Sequence, residues 1–179
     1  MTCYGGKELA SAFRTVRKNT IQVAEDIPES KYGFVAAPEV RSAARMLTHI
    51  AIATRMSEDI HKTKRLTTMV GYDFFGLIDR FKAEEAKTRS KAEILELLRT
   101  EGERFAAWME TLTPEFLAEM VTEPDGQAAK SRFERLLGVK EHEMHHRAQL
   151  MLIERELGVV PHLTRQFNER VAQMRAARA

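Results

Sequence analysis

Three of the chain's six histidines fall in one stretch of helix-forming residues, Glu141-His142-Glu143-Met144-His145-His146-Arg147-Ala148-Gln149. Imidazoles four residues apart on an α-helix lie nearly one above the other, so His142 and His146 can grip one divalent metal ion from a single face. Counting about 100° per residue with His142 at zero places Val139, Leu150, Ile153 and Leu157 between roughly 20° and 80°, and that apolar arc marks a buried face. His146 falls inside it at roughly 40°, His142 lies at its edge, and His145 turns away at roughly −60°. Gln149, at roughly −20°, shares the ligand side, whereas Arg147 points out of the core.

A third ligand must come from elsewhere, and His49 is the leading candidate. With His49 at zero, Met46, Ala53, Met56 and Ile60 fall between roughly −20° and 60°, so His49 also sits on a buried face. Buried imidazoles need partners, because one left unsatisfied costs roughly 1–3 kcal/mol. A cation pairs with all three, and three protein ligands leave a coordination position open, as in catalytic sites. Imidazole donors suit zinc or nickel first and also accept iron or copper. The structural alternative is that each histidine bonds a backbone carbonyl or a carboxylate within the core.

Other residues carry less chemistry. His61 and His162 read as ordinary helix-end or loop residues, and Met46, Met56, Met144 and Met151 as core filler or helix surface. Glu141 and Glu143 fall on the polar side by helical count and are expected to be solvated; Glu58 and Asp59 are poorly aimed at His49. His142-Glu143-Met144-His145 is one residue short of the metalloprotease spacing. Paired Glu-x-x-His motifs of a ferritin-like di-iron centre are missing, as are a nucleophile elbow and a phosphate-cradling glycine loop.

The elements that must position these residues read as helices throughout. The apolar side of Gly6 to Asp26 stops before Pro28, and a second helix is predicted to open near Pro38-Glu39 and run to about His61. Thr63 to Gly71 reads as a loop and Tyr72 to about Lys87 as a shorter, accessory apolar helix. Ser90, with Glu93 three residues on, makes a capping box for a helix reaching about Leu112. Thr113-Pro114-Glu115 starts a short helix through Met120, and Glu123-Pro124-Asp125-Gly126 is a turn. A long helix from about Ala128 or Ser131 to Leu157 ends at Gly158, and Leu163 to Met174 closes the chain. Four long helices imply an all-α four-helix bundle, one domain over residues 1–179.

Charge excludes some functions. Net charge is +2, with basic and acidic residues interleaved, which gives nucleic-acid binding no electrostatic footprint. No stretch approaches the roughly 20 apolar residues of a membrane span, and the opening residues lack a signal-peptide core. The single cysteine, Cys3, is expected to stand apart from the histidines, and a cytoplasmic setting fits.

Three segments together resemble the DinB family, also called DinB/YfiT-like: Arg45-Met46-Leu47-Thr48-His49, His142 to Gln149, and Glu156-Leu157-Gly158-Val159-Val160-Pro161. The resemblance extends over about Leu9 to Leu163, with Ala148 where the family usually has glycine. It implies an up-down-down-up four-helix bundle with short accessory helices and a metal triad of His49, His142 and His146. It also implies thiol-dependent S-transferase or hydrolase-type chemistry with a small-molecule substrate such as a low-molecular-weight thiol, and a homodimer. The competing expectation is a non-catalytic, stress-associated protein that binds a metal or small ligand, the chain offering no clear general base beside the histidines.

Overall fold

The computed structural model describes residues 4–178. The expectation for Cys3 falls outside that range. Helix α1 spans Gly6–Asp26, α2 Ala43–Ser57, α3 Phe74–Glu85, α4 Lys91–Glu110, α5 Pro114–Ala118, α6 Arg132–Glu156 and α7 His162–Ala176. The four long helices α1, α2, α4 and α6 form the bundle, in which α1 and α2 each pack against both α4 and α6. Capping fixes the starts of the last two: Ser90 and Ser131 accept from the backbone N–H three residues on, while Glu93 and Glu134 reach back to the cap. Gly158 ends the α6 segment in the left-handed region at φ 79°.

Two departures from the sequence reading concern the site. Helix α2 opens at Ser42, whose side chain accepts from Arg45 N–H, rather than near Pro38. Glu39 has φ 63°, which a right-handed helix does not admit. Beyond Ser57 the helix widens into a π-helical turn over Glu58–Thr63, with Lys64 N–H bonded five residues back to the Asp59 carbonyl. The chain also forms a short antiparallel hairpin, β1 Met120–Thr122 with β2 Ala129–Ser131, closed by the expected Glu123–Gly126 turn. Thr122 N–H donates to the Thr67 carbonyl and Met69 N–H to that of Thr122, so the hairpin is stitched to the loop after α2. Three-residue strands are too short to show alternation in sequence.

The apolar core is divided. One cluster gathers Val23, Leu47, Ile50, Leu98, Leu150 and Ile153, and another gathers Phe13, Phe105, Met109 and Leu136. Between them lies a buried ion pair: Arg17 donates from Nε and Nη2 to Glu143, from Nη1 to the Leu98 carbonyl (2.7 Å) and from Nη2 to the Ile50 carbonyl (3.2 Å). Gly102 makes room for it, since a Cβ there would stand 2.8 Å from Arg17 Cγ. Glu143 is therefore buried, not solvated as expected. Three of the six fully buried residues of α6 are ionisable (Arg132, Glu143 and Glu154), so the apolar pattern alone sees only part of its buried face. No helix among the described residues is long and apolar enough to cross a membrane.

Candidate metal centre

Helices α2 and α6 lie side by side, and the faces they turn to each other bring His49, His142 and His146 together. One ring nitrogen from each lies within 4.8 Å of the others. His49 Nε2 and His142 Nε2 are 3.1 Å apart. Nitrogens bound to one tetrahedral zinc at 2.0–2.1 Å stand roughly 3.3 Å from each other, so this separation suits a shared cation. The ring centroids of the three pairs lie 4.6–5.0 Å apart, all edge to face. His145 remains exposed beside the cluster, as the helical count requires.

Neighbouring groups set which nitrogen of His49 and of His146 is free. His49 Nδ1 donates to Glu85 Oε1 at 2.8 Å, which leaves the Nε2 lone pair directed at the cluster. His146 Nδ1 donates to Gln149 Oε1 at 2.9 Å, with the same consequence. The other end of that amide lies 3.3 Å from His145 Nε2, an acceptor for its N–H. Burial lowers the pKa of all three ligand candidates; for His142, with His49 and His146 adding to the effect, the value falls to about 4. All three are neutral at pH 7 and carry the lone pairs that a divalent cation needs. His49 Nε2, left as an acceptor, stands 3.1 Å from His142 Nε2, a separation bridged either by a proton that His142 carries or by a cation that the two rings share. The donor chemistry and spacing thus fit a metal ion.

Glu85 is the residue that sequence reasoning missed. It lies at the end of α3 with its side chain almost fully enclosed, and it pairs with Arg41 (2.6 Å) as well as His49. Burial pushes its pKa up, but the hydrogen bonds from Arg41 and His49 prevail and hold it below the usual carboxylate range. Its signal was available: with Phe81 at zero, Leu77, Ile78 and Glu85 fall between roughly −40° and 60°, so an acid stands in the apolar stripe of α3. Helix α3 is therefore no mere accessory, because it supplies the carboxylate that orients a ligand candidate.

A cavity of about 570 Å³ opens beside the cluster, with His49 and His142 in its wall. Met56, Ile60, Leu77, Ile78, Phe81 and Val139 give it a mostly apolar lining. His61, expected to be an ordinary helix-end residue, is buried in the same wall by the π-helical turn. Its Nδ1 accepts from Arg132 Nη1 at 2.9 Å, which puts its own proton on Nε2. Burial, then Arg132 and Arg135, lower its pKa to about 4. Glu58 pairs with Arg104 instead of facing His49, and Arg147, half-buried, donates to the Val16 carbonyl.

The same bundle recurs among solved structures. YfiT from Bacillus subtilis, described as a probable metal-dependent hydrolase with an unusual four-helix bundle topology, superposes with a TM-score of 0.68 at 17% identity, covering 89% of this chain and 91% of its own. A DinB-like protein from Bacillus subtilis gives 0.62 at 22% identity, covering 84% and 92%. An uncharacterised protein from Clostridium difficile gives 0.64 at 14% identity, covering 87% and 98%. These likenesses establish the fold. No curated protein matches the chain in sequence. The DinB superfamily model matches residues 12–150, a span that holds His49, Glu85, His142 and His146, and the chain belongs to that superfamily.

Proposed function

We propose that the protein is a divalent-metal-dependent enzyme acting on a small molecule held in the cavity beside His49, His142 and His146. The observation that carries this reading is the convergence of three neutral imidazoles, two of which, His49 and His142, stand in the wall of an open apolar pocket. A closed structural centre would use four protein ligands and need no cavity. The similarity to YfiT points the same way. Zinc or nickel suits the all-imidazole donor set, which iron or copper also tolerates. Such an ion supplies Lewis acidity and lowers the pKa of a water or thiol that it takes up.

The chain's own residues favour a thiol over water. Glu85 is committed to Arg41 and His49, and Glu143 to Arg17, so neither carboxylate is free to take a proton. Glu141 lines the cavity but is exposed. A thiol ionises on coordination without a base, whereas hydrolysis gains from one positioned at the water. The apolar walls would hold the electrophile and exclude bulk water, while Glu85 keeps His49 in its ligand tautomer.

Incubating the zinc-loaded protein with a chromogenic aryl halide, with and without a low-molecular-weight thiol, tests this reading. Turnover that requires both thiol and protein is expected. Turnover unaffected by thiol, with water displacing the halide, would instead select the hydrolase reading. The homodimer remains part of the proposal and rests on the apolar exposure of α3, where Phe75 is 81% exposed and Phe74 45%. A monomer mass alone by light scattering at micromolar concentration would remove it.

A further inference from the structure

The cavity has two chemically distinct ends joined by one stripe of α6. Arg135, Gly138, Val139 and His142 all line it, at the i, i+3, i+4 and i+7 spacing of a single helix face. His142 marks the candidate metal end. Seven residues earlier, roughly 10 Å along the helix, Arg135 marks the other.

Arg135 is underused where it stands. Its Nη2 lies 2.9 Å from Glu123 Oε2, but neither Nε nor Nη2 makes a well-formed hydrogen bond, and both atoms are buried. Guanidinium donors enclosed without acceptors are costly unless a ligand completes them. The lining as a whole carries no excess positive charge, since Glu123, Glu134 and Glu141 stand against Lys130 and Arg135. The case for an anion is local to this end, where Glu134 is committed to the Ser131 cap, Lys130 stands beside Arg135, and His61 is held neutral with its proton on Nε2, a donor rather than an acceptor. Glu123 offsets part of this charge through its contacts with Arg135 and Lys130.

Between the two ends lies Gly138. It occupies the interior of a 25-residue helix, where glycine is unfavourable, yet a Cβ built there meets nothing within 4 Å. No neighbour requires a glycine. What its small size preserves is the width of the cavity between Arg135 and His142.

Resting on the metal-dependent reading above, we propose that the substrate is an apolar monocarboxylate, its carboxylate held by Arg135 and its apolar body lying over Gly138 against Met56, Ile60, Leu77 and Phe81. This arrangement delivers a group about one eight-carbon chain length from the carboxylate to the three histidines. Arg135 is then a specificity-determining residue, and Gly138 keeps the channel open.

Octanoate and its neutral isostere octanamide are the probes, titrated calorimetrically into full-length protein freed of metal by a chelator, so that no cation competes for the carboxylate. Wild type is expected to bind octanoate at least tenfold more tightly than octanamide. Arg135→Gln should abolish that preference and leave octanamide binding unchanged. Because Arg135 also touches Glu123, Gly138→Leu supplies an independent arm: it should abolish binding of both probes while the melting temperature holds or rises. His146→Ala should bind octanoate like wild type, which separates this inference from the metal assignment. Equal affinity for the two probes, absence of binding by wild type, or unchanged binding in Gly138→Leu would overturn the proposal.

Discussion

His142 and Glu143 are adjacent on α6 and belong to two buried polar groups of opposite character. Glu143 faces Arg17, whose guanidinium also bonds the carbonyl of Ile50, the residue next to His49. The donors of that group find acceptors from α2, α4 and α6 in a closed arrangement with no access to the cavity. His142 faces His49 and His146, where ring nitrogens converge beside an open wall. The contrast separates two uses of buried polarity. A group whose valences are matched within the protein fixes helix registry, and a group of neutral imidazoles that can exchange a shared proton for a cation is prepared for a metal. Since the closed pair grips the residues adjoining two ligand candidates, it also holds α2 and α6 at the spacing that the open site needs.

Breaking the closed pair should have the largest effect on stability. Glu143→Ala strands a buried guanidinium and is expected to cost about 3–5 kcal/mol in urea unfolding. The double replacement Arg17→Met with Glu143→Leu should recover most of that loss. A cost below about 1 kcal/mol would mean that the pair is not the organising contact described here.

A third buried polar group sharpens the comparison, because it is neither matched nor open to the cavity. Glu154 is fully enclosed with both oxygens unpartnered, and burial, with Asp26 adding to it and Arg165 and Arg155 opposing, raises its pKa from 4.5 to about 7. A carboxyl whose folded pKa lies above its unfolded value contributes stability that is complete below about pH 4.5 and is lost as pH rises through about 7. The loss amounts to about 3 kcal/mol. Glu154→Gln should therefore stabilise the protein at pH 8, leave it little changed at pH 4.5, and flatten the decline between them in melting temperature. His162 has its pKa lowered by burial, so its contribution runs the other way, being lost as pH falls, and it persists in the variant.

The smallest of these effects belongs to the shell of the open site. Glu85→Gln keeps the shape but weakens the hold on His49 Nδ1–H, and a 10- to 100-fold loss of zinc affinity is expected without loss of fold. Unchanged affinity in a competition titration would assign Glu85 to the Arg41 ion pair alone.

The bundle was legible because its helices announce themselves locally. Ser90 with Glu93 marks a start, Pro28 and Gly158 mark stops, the observed α1 has the predicted limits, and α6 begins after Ser131, one of the two starts expected, where Glu134 completes a second capping box. The histidines were legible because 3.6-residue periodicity puts His142 and His146 on one face and His145 off it. What escaped was polar burial. Arg17, Glu85, Glu143 and Glu154 read as surface residues by type, and their partners lie on other helices, so no local pattern pairs them. The π-helical turn escaped as well, because Glu58 to Thr63 contains nothing that breaks an ordinary α-helix, and its extra residue carries His61 into the cavity wall. Arg135 and Gly138 acquire meaning only once that wall is assembled.

The central claim is that His49, His142 and His146 together bind one divalent cation, and zinc titration of untagged, metal-free protein tests it most directly. Wild type and His145→Ala should each take up one tight equivalent, and His146→Ala should lose it while remaining folded. Equal uptake by wild type and His146→Ala, or loss of uptake in His145→Ala alone, would contradict the account.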